Sequence, residues 1–135
     1  MKKILISGLV AGVILLLFSI AVLYLTIFLL PNLALQYYNP AFKSDNGSAT
    51  LYFIHPFILS FALAWFWDRF KNQFGKAIWL KDLEFGLVYS IVATLPSMWI
   101  IYSAMNVTLE QVVTWFIYGL LQAAVAGIVF AKINP

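Results

Sequence analysis

The sequence contains no cysteine. Disulfides, thiolate metal sites and thiol redox chemistry are therefore excluded. It contains one histidine, His55. A single imidazole cannot ligate a haem from both faces or build a metal site alone. Charge is scarce as well: Asp, Glu, Lys and Arg make up 10% of the residues, against about 25% in a soluble domain. Those few charges avoid the long apolar runs, so no acidic or basic side chain is expected inside a hydrophobic segment. Proton and ion pathways through membranes usually rest on such a buried charge. The small multidrug transporters, also of four helices, carry a membrane-embedded glutamate in the first helix, and this chain has none there.

Apolar surface is abundant. Hydrophobic residues make up 64% of the 135, and 18% are aromatic. A soluble domain of this length has too little interior to hide them, so lipid is the expected solvent. The net charge of +3 does not point to nucleic acid, because the cations flank apolar runs instead of forming a separate basic face.

Hydropathy predicts an all-α, four-helix transmembrane bundle made of two helical hairpins, a single domain over 1–135. Its spans are expected at about 4–30, 51–67, 85–105 and 112–131, with a charged loop over 68–84. The first run follows Met1-Lys2-Lys3 as a secretory signal would. It exceeds the ~7–15 apolar residues of such a signal and shows no cleavage site, so an uncleaved helix is expected. Pro31 blocks easy continuation, and a short interfacial helix is weakly signalled over 32–38. Asn39-Pro40 and Asp45-Asn46-Gly47-Ser48 are turn chemistry, and Tyr37, Tyr38 and Tyr52 suit a headgroup-level aromatic belt. Phe70, Phe74 and Ile78 recur every fourth residue, as in a helix continuing out of the membrane or lying on its surface, with Gly75 as a break. Asp82 and Glu84 are read as opening the third span. Thr108 and Gln111 form a capping box for the fourth, stapled by Val107 and Val112.

Seven of the eight cations fall at one end of this arrangement: Lys2, Lys3, Arg69, Lys71, Lys76, Lys81 and Lys132. Lys43 alone falls at the other. The positive-inside rule then places both termini and the 68–84 loop in the cytoplasm. The sequons Asn46-Gly47-Ser48 and Asn106-Val107-Thr108 fall on the opposite side, and carry no weight in a bacterial inner membrane, the expected setting.

Candidate functional residues are the polar ones inside spans. His55, followed by Pro56, is read one turn inside the second span, with Asp45 and Glu110 on the same side. Gln122 lies near the middle of the fourth span; Thr94, Pro96 and Ser97 lie near the middle of the third. Pro96 frees the carbonyl of Val92, and the Gln122 amide is expected to donate to it or to a neighbouring hydroxyl. His55, Thr94, Ser97 and Gln122 are thus the candidate ligand or polar-core residues. No catalytic, cofactor-binding or metal residue is assigned, and no cofactor is expected. Small residues define packing seams: Gly8 and Gly12 in the first helix; Gly86, Ser90 and Thr94 in the third; Gly119, Ala123 and Gly127 in the fourth. Such stripes let helix backbones approach closely where hydrophobicity supplies no drive.

The opening Lys3-Ile-Leu-Ile-Ser-Gly-Leu-Val-Ala-Gly12, the Glu84-Phe-Gly86-Leu-Val-Tyr-Ser90 start of the third span and the Gln122-Ala-Ala-Val-Ala-Gly127 seam resemble an uncharacterised family of small bacterial four-helix integral membrane proteins. The resemblance implies the same fold, and it transfers no activity or site residue. The leading expectation is a non-enzymatic accessory or scaffold component, packing against lipid and against itself or a larger membrane complex. The alternative is an oligomeric small-solute or lipid transporter or channel, with Gln122, Thr94 and Ser97 lining a polar midplane site.

Overall fold

The computed structural model describes all residues except Ser44 and Lys76, and describes only the backbone of Asn46, Ile78 and Trp79. The Ile78 side chain of the Phe70, Phe74, Ile78 series, the Asn46 side chain of one sequon and the Lys76 charge therefore lie outside the described residues. The fold is all-α. Four helices are long and apolar enough to cross a membrane: Lys2–Leu29, Gly47–Phe70, Leu80–Ala104 and Leu109–Ile133. In chain order the elements are α1 (Lys2–Leu29), α2 (Pro31–Gln36), α3 (Asn46–Phe70), α4 (Ile78–Tyr89), a π-helical turn (Ser90–Thr94), α5 (Leu95–Ala104) and α6 (Leu109–Ile133).

The weakly signalled interfacial helix is present as α2, which Pro31 opens at a position where its missing N–H costs nothing. α3 and α4 run further toward the charged block than the hydropathy windows suggest, leaving 71–77 as the connection. The reason is aromatic. Phe66, Trp67, Phe74, Phe85 and Phe130 form one cluster of rings at that end, with neighbouring centroids 5.2–6.1 Å apart. Burying those rings holds the ends of α3, α4 and α6 helical beyond the apolar windows.

Pro56 is not in a first turn. α3 begins ten residues earlier, so Pro56 is a buried interior proline, tolerated because membrane helices can re-satisfy the freed backbone locally. Pro96 is handled differently. The helix widens into the π turn, where Leu95 N–H donates to the Ser90 carbonyl five residues back, and α5 restarts with Pro96 in its first turn. The widened turn makes room for the proline ring, which in a regular α-helix would clash with the carbonyl four residues back. The capping box forms as read: Thr108 Oγ1 accepts from Gln111 N–H at 3.2 Å, and Gln111 Oε1 accepts from Thr108 N–H at 3.0 Å. Val107 and Val112 are both buried beside it.

α1 packs antiparallel on α3. A Cβ on Gly8 would stand 2.6 Å from the Phe61 ring, and one on Gly12 2.6 Å from the Phe57 ring. The small-residue stripe of α6 faces α4 and the π turn. Gly127 opposes Asp82 and Phe85, Gly86 opposes Leu120 and Ala124, and Gly119 opposes Thr94. α5 packs on α6 without burying any residue fully. This packing puts Lys2, Lys3, Arg69, Lys71, Lys81 and Lys132 at the end holding Trp67, and Lys43 at the opposite end with Tyr37 and Trp115.

Candidate functional site: a cavity at the Lys43 end

At the Lys43 end, the last two turns of α1, α2, the 37–45 connection and the first turns of α3 and α6 do not close on one another. They leave a cavity of about 980 Å³, at the upper end of the ~300–1,000 Å³ typical of ligand pockets. Val22, Leu23, Ile27 and Leu35 give one aliphatic wall, and Tyr52, Trp115 and Tyr118 an aromatic one. Lys43, Asp45 and Ser48 stand at the mouth.

The walls are positioned from both sides. α2 is tied to the start of α6 through Gln36: its amide nitrogen donates to Glu110 Oε2 at 3.1 Å, and its amide oxygen accepts from Thr108 Oγ1 at 2.7 Å. Trp115 Nε1 donates to the Tyr37 hydroxyl at 2.6 Å, while the Tyr37 ring packs on Phe42. Burial pushes the Tyr37 phenol up from its ordinary value, against the smaller opposing effect of the Trp115 bond. Tyr37 therefore stays protonated, and its own O–H remains a donor.

A polar thread leads from the cavity wall into the bundle. The Tyr118 hydroxyl donates to Ser19 Oγ at 2.5 Å, and Gln122 Nε2 reaches the same oxygen at 3.5 Å. Ser19 in turn donates to the Leu15 carbonyl at 2.8 Å. Gln122 thus bonds a hydroxyl of α1 and not the Val92 carbonyl. Bonds of this kind between membrane helices contribute about 0.6 kcal/mol on average.

The other candidate residues do not converge with Gln122. Ser97 is exposed, and its hydroxyl bonds back to the Ala93 carbonyl at 2.7 Å. Thr94 is buried against Gly119, and its Oγ1, like Ser90 Oγ, has no partner among the described residues. His55 is exposed on α3. Asp45 and Glu110 have partners of their own in Ser48 and Gln36. Among the described residues no three His, Asp or Glu side chains group as a metal site would need.

Ser19, Tyr118, Trp115 and the Asn134 side chain are the important polar positions not singled out from the sequence. Two signals for them exist. Gln111, Trp115, Tyr118 and Gln122 recur at helical spacing on one face of α6. On α1 the run Ser7, Ala11, Leu15, Ser19 continues the small-residue face at i+4, and all four are buried. Asn134 gives no such signal. It follows α6, and it ties the end of α6 to the C-terminal end of α3: its carbonyl accepts from Trp67 Nε1 at 2.9 Å, its Oδ1 from Lys71 Nζ at 2.8 Å, and its Nδ2 donates to Asp68 Oδ1 at 2.9 Å.

No family model, no curated protein and no solved structure matches the chain.

Proposed function

We propose that this is a multi-pass protein of a bacterial inner membrane, non-enzymatic, that holds a membrane amphiphile in the cavity at its Lys43 end. The residues before α1 and after α6, and the 71–77 connection, face the cytoplasm in this reading, because the cations gather at that end. The cavity then lies at outer-leaflet depth. The observation that carries the reading is the cavity itself: an aliphatic and aromatic interior of about 980 Å³ with its charged groups confined to the mouth. That distribution suits a molecule with an apolar chain and a polar head.

Orientation is tested with the absence of cysteine as an advantage. A single Lys43→Cys in intact cells reacts with a membrane-impermeant thiol reagent, and Lys81→Cys reacts only after the membrane is opened. The reverse pattern refutes the orientation. Binding is tested by counting lipids that survive purification in a non-ionic detergent. Ala49→Trp places an indole in the cavity from an exposed position of α3, and should remove the retained lipid without lowering the melting temperature. Equal lipid in both proteins refutes the binding reading.

A second reading, an accessory or scaffold subunit that assembles with itself or a larger complex, is favoured by α5. Trp99 is 74% exposed and Ile100 64% there. A native mass above that of one chain would support it.

A further inference from the structure

The lipid-handling reading leaves open which amphiphile the cavity takes, and the physics of the bilayer says where that choice is made. An acyl chain leaving the bilayer for the cavity exchanges one apolar medium for another. Hydrophobic transfer therefore contributes little to preference. Discrimination has to come from the polar groups at the mouth, where headgroups differ.

Those groups have an unusual pairing. Among the described residues Lys43 is the only lysine or arginine at that end of the molecule, and Asp45 stands two residues away at the same mouth. Among the described residues they form no direct ion pair. The Asp45 carboxyl is held instead by the Ser48 hydroxyl, which, with Lys43 as a smaller contributor, keeps it below its ordinary value and hence ionised. One fixed negative and one positive charge thus flank a single opening without neutralising each other directly. In the same lining the Tyr37 hydroxyl, already accepting from Trp115, donates to no acceptor among the described residues, which leaves its proton for an oxygen.

From this geometry we infer that the cavity is selective for a zwitterionic phospholipid headgroup, its phosphate toward Lys43 and Tyr37 and its ammonium toward Asp45. This rests on the lipid-handling reading. An anionic headgroup such as a phosphoglycerol meets the same lysine but also an unopposed carboxylate, which repels it. A zwitterion satisfies both charges.

The test uses the full-length protein in a non-ionic detergent, offered phosphatidylethanolamine, phosphatidylcholine or phosphatidylglycerol with identical acyl chains, with retained lipid read by native mass spectrometry. The wild-type protein should retain the two zwitterionic lipids about tenfold more tightly than phosphatidylglycerol, the size expected for a single charge-assisted hydrogen bond. Asp45 makes no side-chain cap bond to α3, and Asn is equally accepted at an N-cap position and keeps an oxygen for the Ser48 hydroxyl, so Asp45→Asn should fold as the wild type does while abolishing that preference. Equal or tighter retention of phosphatidylglycerol by the wild type, or a preference that survives Asp45→Asn, overturns the headgroup assignment and leaves the cavity reading standing. Retention of none of the three lipids overturns both.

Discussion

Trp67→Ala is expected to destabilise the detergent-solubilised protein by about 3–5 kcal/mol, the range for truncating a buried aromatic. No part of the Trp67 side chain is exposed. Its ring meets Phe74, Phe85 and Phe130, so removal leaves a void between α3, α4 and α6 at once. The indole N–H also donates to the Asn134 carbonyl, and Lys81 lies over the ring at 5.1 Å. Losing the donor leaves that buried carbonyl unpaired, an additional cost. Trp65, two residues earlier, is the control. It is 53% exposed, touching Arg69 at the surface, so Trp65→Ala should change stability far less. Denaturant unfolding followed by circular dichroism makes the comparison, and equal losses for the two variants would show the ring cluster is not the keystone of that end.

Gly86→Leu is the second large effect. A Cβ at Gly86 would stand 3.2 Å from the Leu120 carbonyl oxygen and 3.2 Å from the Ala124 amide nitrogen. Both are backbone atoms of α6 and cannot swing aside, so a leucine must push α4 and α6 apart. Overpacking of this kind costs about 1–3 kcal/mol, sometimes more. The closer approach at Gly8, 2.6 Å to Phe61, is misleading as a guide to cost. Phe61 is 37% exposed and its ring can turn outward into lipid. Gly8→Leu should therefore be milder than Gly86→Leu despite the shorter distance. Gly47→Leu should be nearly silent, since an added Cβ there meets only the Asp45 carboxylate at 3.5 Å. Thermal unfolding of the three variants ranks them; a larger loss at Gly8 than at Gly86 would contradict this reasoning.

The two seams also show how far small-residue patterns carry. Gly8 and Gly12 on α1, and Gly119, Ala123 and Gly127 on α6, stand out in the sequence because close helix approach admits few residue types. So do Gly86, Ser90 and Thr94 in the third span, but which stripe meets which does not follow from the pattern. As a pattern alone, the α6 stripe is compatible with the third helix, the first helix or another copy of the chain. Only the packed structure shows it against Gly86 and Thr94. The midplane residues illustrate the same limit. Gln122 is conspicuous as an amide in an apolar helix, yet its acceptor, Ser19, lies 103 residues away on α1. Ser97 has the same local prominence and faces outward, because the π turn before Pro96 resets the helical phase of everything after it.

What the residues settled on their own is everything with a short period or a strong local preference. That covers the four apolar helices, the capping box at Thr108, the small-residue faces and the gathering of cations at one end. Lipid enforces these one segment at a time, since each helix must satisfy its own backbone before it meets another. What only the tertiary structure decided is where helices fail to touch and which distant side chains meet. The cavity is framed where α2 and the first turn of α6 are tied by Gln36 to Thr108 and Glu110, with the end of α1 and the start of α3 lining the space beside them. The Asn134 clasp exists because α6 ends level with Trp67, Asp68 and Lys71. Both depend on the relative placement of segments about 60 or more residues apart, and no local pattern carries that information.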